Sequence, residues 1–205
     1  EAPAATVLLP EWLPTPWDRR AERGVAAIDG VIDDLIARRR GDAAGRDDLL
    51  STLLVAHEDG QITRRTLRDQ LVTFLLAGHE TTSLALTYTW YLLAQHPDVR
   101  DRFHAEVDDV LGDGVPGMTD LGDLSYTEHV VTEAMRYYPP VHRVVREASE
   151  RVQLRGRTVD RGSILTMPQW IVHRDRRWYD DPLEFRPERW AADRDRPEYA
   201  YFPFG

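Results

Sequence analysis

Residues 74–83 read FLLAGHETTS. Phe74 to Gly78 is apolar, then a histidine, a glutamate, two threonines and a serine follow. The apolar pattern returns with LALTYTWYLLA from Leu84. The whole stretch 71–94 is long enough to suggest a membrane span, but His79 and Glu80 sit at its centre, where ionisable groups are expensive in lipid. A buried helix of a soluble protein is the expectation. Thr63, with Thr66 as second candidate, caps it, and Pro97 stops it at about His96. Some thirty residues rising 1.5 Å each give a helix of about 45 Å, the spine of a domain.

The polar break has two readings. In one, the hydroxyls bond back to carbonyls four residues earlier and Glu80 faces solvent. In the other, Glu80 lies within the apolar surround, where an unpaired carboxylate is costly. Gly78 then lets a ligand approach the backbone and invites a kink or widening of the helix. A zinc-protease reading fails, because His-Glu-x-x-His needs a histidine where Ser83 stands.

The rest of the chain bounds the function. Its 205 residues are 42% hydrophobic, enough for a real core. A net charge of -9 argues against a nucleic-acid partner. All 26 basic residues are arginine, and there is no cysteine, hence no disulfide and no thiolate metal site. The start, EAPAATVLLPEW, lacks the pattern of a signal peptide. The start has no methionine and the end, YAYFPFG, has no tail. A fragment of a longer protein is expected.

Residues 1–16 read as a connection. Val25, Ile28, Ile32, Leu35 and Ile36 recur at helical spacing between Asp18 and Arg40. RRRGDAAGR links to a short helix, DDLLSTLLVAHE, opened by Asp47 or Asp48. After the spine comes PDVRDRFHAEVDDVLGD, another amphipathic helix. A further helix in LSYTEHVVTEAMRYYPP starts at a capping-box spacing, Ser125 with Glu128, and ends at Pro139-Pro140. From 141 the pieces VHRVVREA, RVQLRG, RTVDRG and SILTMP read as strands and hairpins. QWIVHRD suggests a short helix and DDPLEFRPERW an extended segment. The fold class is mainly α, with helices over about 18–138 and a small β region and meander over about 141–205.

Two further constellations stand out. Glu133 and Arg136 share one helix face, flanked by Val130, Val131, Ala134 and Met135. As a surface pair they contribute a few tenths of a kcal/mol. As a buried pair they need more partners, and Arg189 in FRPERW is the candidate. Arg143 and Arg146 lie in an apolar strand, either as edge charges that discourage aggregation or as a clamp on a buried carboxylate.

AGHETT, EAMR and FRPERW, in that order and spacing, resemble the cytochrome P450 family of haem-thiolate monooxygenases, over the chain from about residue 11 onward. The resemblance implies a partial cytochrome P450 domain over 1–205 and a haem b (iron protoporphyrin IX) cofactor in the full-length protein. Ala77 and Gly78 would lie over the porphyrin. Glu80 and Thr81 match the acid–alcohol pair that delivers protons for O–O cleavage in a dry pocket. Glu133, Arg136 and Arg189 match a structural triad that does no chemistry. Arg146 matches a propionate-binding arginine, and Val141, Val144 and Val145 fall in the segment that lines the substrate pocket.

The family's iron ligand is a cysteine in a Phe-x-x-Gly-x-Arg-x-Cys loop. The chain holds no such cysteine; Phe204-Gly205 is where the loop would begin. The ligand is therefore expected just after Gly205, and the fragment alone is expected to be inactive. The implied partners are a lipophilic small molecule and a ferredoxin or flavodoxin-type donor with its reductase, in a monomeric, cytoplasmic bacterial or archaeal enzyme. The competing readings are a peroxygenase of the same fold, and a non-catalytic helical binding domain that has lost its ligand.

Overall fold

A computed structural model describes residues 16–39, 46–191 and 196–204. The connection over 1–15, most of the RRRGDAAGR linker and Gly205 lie outside the described residues. The chain is mainly α with a small β region near its C-terminal end. It forms two compact units, Glu1–Gly78 and His79–Gly205. Among the described residues, no helix is long and apolar enough to cross a membrane.

The first unit is helical. α1 spans Pro16–Arg39, α2 Leu49–Glu58, and α3 begins at Arg64. Asp48 caps α2, its Oδ1 accepting from Ser51 N at 2.9 Å. Thr63 caps α3, its Oγ1 accepting from Thr66 N at 3.1 Å. Ile32, Ile36, Leu54, Leu67 and Leu71 form the core, with Ile28 packed against it. Ile28, Ile32 and Ile36 recur every four residues and so share one stripe. Val25 and Leu35 fall outside that stripe and are exposed, contrary to the sequence expectation. Arg68 Nε donates to Asp29 Oδ1 at 2.6 Å and ties α3 to α1.

The second unit takes the rest of α3 (Arg64–Gln95), α4 (Pro97–Leu111) and α5 (Ser125–Tyr137). Pro97 ends one helix and opens the next, because its ring fits the first helical position and no later one. Leu92 and Leu93 of α3 pack with Tyr126, Val130 and Ala134 of α5 and with Phe185.

The expected Ser125–Glu128 capping box is absent. Leu124 holds the N-cap position without a side-chain bond. Glu106 of α4 does the work instead: its carboxylate accepts from Tyr126 N and Thr127 N, each at 2.7 Å, and from Thr127 Oγ1 at 2.8 Å. A helix start presents several unpaired N–H groups, and a carboxylate from a neighbouring helix can satisfy them together.

Four short strands follow: β1 Val144–Glu147, β2 Val152–Leu154, β3 Arg157–Val159 and β4 Ile164–Met167. β1 pairs antiparallel with β4, Val144 opposite Met167 and Glu147 opposite Ile164. β2 and β3 form a hairpin. Its turn residues, Arg155 and Gly156, have φ of 49° and 78°, the sign that matches the twist of a tight hairpin. α6 (Gln169–Val172) comes next, and a 3₁₀ turn at Pro187–Trp190 punctuates the otherwise irregular C-terminal segment.

Candidate active site

α3 passes through AGHETT without a break, so the expected kink at Gly78 does not occur. A Cβ built on Gly78 meets nothing within 4 Å. Ser83 Oγ donates to His79 O and Thr87 Oγ1 to Ser83 O, each at 2.7 Å, and Thr89 Oγ1 donates to Ala85 O at 2.8 Å. These hydroxyls are satisfied along the helix itself. Glu80 is exposed and Thr81 half-buried, which corrects the expectation of a buried Glu80. Leu76, Leu86 and Trp90 are each more than half exposed. The helix is apolar around most of its circumference, and the described residues cover only part of it.

Glu80, Thr81, Leu84 and Tyr88 form one wall of a cleft of about 590 Å³. The opposite wall is the Tyr138–Arg143 connection between α5 and β1, with Trp170. Val141 lines this cleft. Val144 does not; with Arg146, Thr166, Met167, Pro168, Val172, Tyr199 and Phe202 it lines a second, mostly apolar cleft of about 550 Å³. Val145 lines neither and is 44% exposed. Strand alternation explains the split: Val144 and Arg146 share one face of β1, and Val145 points the other way. The three valines grouped by sequence therefore have three different surroundings. Ala77 and Gly78 are exposed on α3, and Phe204 is 68% exposed.

Glu133, Arg136 and Arg189 meet in the interior, each at most 3% exposed. Arg136 donates through Nε to Glu133 Oε2 and through Nη2 to Oε1, both at 2.8 Å. Arg189 Nε adds a 2.8 Å bond to Oε1. Arg186 N and Trp190 Nε1 supply two more donors, at 3.0 and 2.8 Å. The carboxylate thus accepts five hydrogen bonds. The guanidiniums use their other N–H groups on carbonyls: Arg136 on His173, Pro182 and Glu184, Arg189 on Asp180, Asp181 and Glu184. Buried charge persists where every donor and acceptor is matched in this way. The network cross-links α5 to the C-terminal irregular segment.

Three participants beside this network carry no local sequence signal. Trp190, Gln169 and His173 are recognised only once the chain is folded around Glu133 and Phe202. His173 is fully buried. Burial and the positive charge of Arg136 push its pKa down to about 4. Burial likewise pushes Tyr179 up to about 12.

The second cleft fits the periphery of a haem. Its walls are mostly apolar, and among the described residues Arg146 makes one hydrogen bond, from Nη1 to Val145 O at 3.0 Å, leaving N–H groups for a carboxylate. The chain holds no cysteine, and among the described residues no group of three or more His, Asp or Glu is arranged to hold a metal ion.

A sequence model described as Cytochrome P450 matches residues 3–205. The cyclooctat-9-en-7-ol 5-monooxygenase of Streptomyces melanosporofaciens is 40% identical over 205 residues, covering 95% of this chain and 44% of its own length. The pentalenene oxygenase of Streptomyces avermitilis is 36% identical, covering 89% of this chain and 41% of its own length. The LUTEIN DEFICIENT 5 protein of Arabidopsis thaliana is 32% identical, with 93% and 35% covered. The chain spans less than half the length of these curated relatives.

Proposed function

Because this chain belongs to the cytochrome P450 family, we propose that the full-length protein is a haem-thiolate monooxygenase that inserts one atom of dioxygen into a lipophilic substrate. The observation that carries this reading is the cleft in which Glu80 and Thr81 face the Tyr138–Arg143 connection. When bound, haem b supplies dioxygen activation, with a thiolate ligand pushing electron density toward O–O cleavage.

The chain's own residues hold the group and feed it protons. Arg146 pairs with a haem propionate, and Val144, Met167 and Phe202 give its ring an apolar wall. Phe204 leads into the ligand loop. The Glu80 carboxylate, open to water, takes up protons and passes them to Thr81 Oγ1, which donates them in the cleft. Val141 contacts substrate. Glu133, Arg136 and Arg189 keep α5 and the C-terminal segment in register and touch no reacting atom.

Two electrons come from a ferredoxin or flavodoxin-type protein with its reductase, and the enzyme acts as a cytoplasmic monomer in a bacterium or archaeon. The acid–alcohol pair in the cleft favours dioxygen over peroxide as oxidant, since peroxide arrives with its O–O bond already reduced and protonated.

The test is Thr81→Ala in the full-length protein. Haem content should stay at the wild-type level while oxygen consumption continues without matching product. Unchanged coupling overturns the role of Thr81. A full-length protein without a thiolate-ligated haem overturns the monooxygenase reading.

A further inference from the structure

Gln169 and His173 stand four residues apart at the two ends of α6, so their side chains share one face. Both are fully buried. Gln169 Nε2 donates to Phe202 O at 2.9 Å, and Phe202 N donates to His173 Nε2 at 3.0 Å. One residue's N–H and C=O are thus both held, as a neighbouring strand would hold them in an antiparallel ladder. Here two side chains supply the partners. The His173 ring also lies edge-on to Phe202, with centroids 5.4 Å apart, and 5.3 Å from the Tyr201 ring.

Resting on the haem-thiolate reading above, we propose that Gln169 and His173 form a clamp that aims the Phe202–Phe204 segment into the haem-ligand loop, and so position the thiolate without touching the cofactor. Three observations carry this beyond ordinary packing. The clamp seizes the peptide groups of Phe202, a residue that lines the same cleft as Arg146. It is anchored to the ion network, because Arg136 Nη1 donates to His173 O at 2.8 Å. Among the described residues, the bracket also leaves Gln169 Oε1 and His173 Nδ1 buried without a hydrogen-bond partner, a cost that a pair of leucines would avoid.

The bracket works in one protonation state. Nε2 must carry a lone pair to accept from Phe202 N, so the ring is the neutral Nδ1–H tautomer. An imidazolium would set two donors against each other. Burial and Arg136, which hold the pKa near 4, keep the ring in that state.

The experiment uses the full-length haem protein with His173→Phe, His173→Gln and Gln169→Leu. The readouts are the ferrous–CO absorption spectrum, which separates thiolate-ligated from thiol-ligated haem by band position, and the haem reduction potential. His173→Phe and Gln169→Leu should bind haem yet raise the thiol-to-thiolate ratio roughly tenfold, the effect of about one lost buried hydrogen bond. The potential should rise in parallel. His173→Gln, whose longer side chain can set a carbonyl acceptor where Nε2 stands, should recover much of the thiolate band. If His173→Phe fails to fold, Gln169→Leu decides, since it leaves the His173–Arg136 contact intact. Wild-type ratio and potential in a folded variant overturn the clamp alone. A wild-type protein lacking the thiolate band overturns the haem-thiolate reading, and the clamp's role falls with it.

Discussion

Glu133 Oε1 accepts a 2.8 Å hydrogen bond from Arg189 Nε, a residue fifty-six positions along the chain. Both groups are buried, and Arg136 closes the arrangement from one helical turn away. Removing Arg136 takes two of the five hydrogen bonds from the buried Glu133 carboxylate and deprives the carbonyls of His173, Pro182 and Glu184 of their donor. Arg136→Ala should therefore cost about 3–5 kcal/mol, far more than a surface pair. Denaturant unfolding of the full-length protein should show it, together with loss of haem content. Arg136→Lys should recover little, because an ammonium cannot reproduce the two parallel bonds to Glu133 or the forked contacts to three carbonyls. Normal haem content in Arg136→Ala would remove the network from the folding argument.

Glu106 is the cap that α5 lacks in its own sequence. Glu106→Ala should destabilise by about 1–2 kcal/mol, the usual range for a lost cap. Burial raises the Glu106 pKa, but the N–H groups of Tyr126 and Thr127 and the Thr127 and Ser125 hydroxyls outweigh it and hold the carboxyl below its ordinary range. A depressed carboxyl gives stability that is present above the unfolded pKa and is lost as pH falls through the folded one. The wild type should lose this contribution on acidification below about 4.5, and Glu106→Gln should lack it. Equal acid sensitivity in wild type and Glu106→Gln would count against the cap.

His173 works in the neighbouring window and by the opposite charge change. Its ordinary value is 6.5 and its folded value about 4. Above 6.5 the ring is neutral whether the chain is folded or not, and no penalty arises. Between 6.5 and 4 the unfolded chain takes up a proton that the folded one refuses, so stability falls as pH falls. The full loss is roughly 3 kcal/mol. His173→Asn should flatten the stability profile between pH 6.5 and 4. A profile unchanged by the substitution would show that the ring is not held neutral.

Features with a local cause were legible in the sequence. Asp48, Thr63 and Pro97 mark helix ends because caps and proline act on their own backbone. The strands followed from β-branched runs, and the Glu133–Arg136 pair from its apolar flanks. Features set at a distance were hidden. Nothing near Ser125 announces that Glu106, nineteen residues earlier, caps its helix. Gln169 and His173 gain meaning only when Phe202 arrives between them. The exposure of Glu80 is hidden for a related reason. Apolar periodicity reports that α3 demands cover, and says nothing of whether the same stretch of chain supplies it.

The three valines of the β1 region give a direct test of the proposal that the first cleft receives substrate. Val141 shares the cleft with Glu80 and Thr81, Val144 lies in the second cleft with Arg146, and Val145 lies in neither. Val141→Phe narrows the first cleft and should lower kcat/KM for a bulky substrate about tenfold or more, the scale set by a few methylene-sized contacts. Val144→Phe should act on haem retention instead, because it crowds the wall beside Arg146. Val145→Phe should leave both within about twofold, since an outward-facing strand position accepts an aromatic ring with little penalty. If Val145→Phe lowered kcat/KM as strongly as Val141→Phe, the side chain of Val145 would have to reach the substrate, and the strand alternation that separates the two clefts would not govern binding.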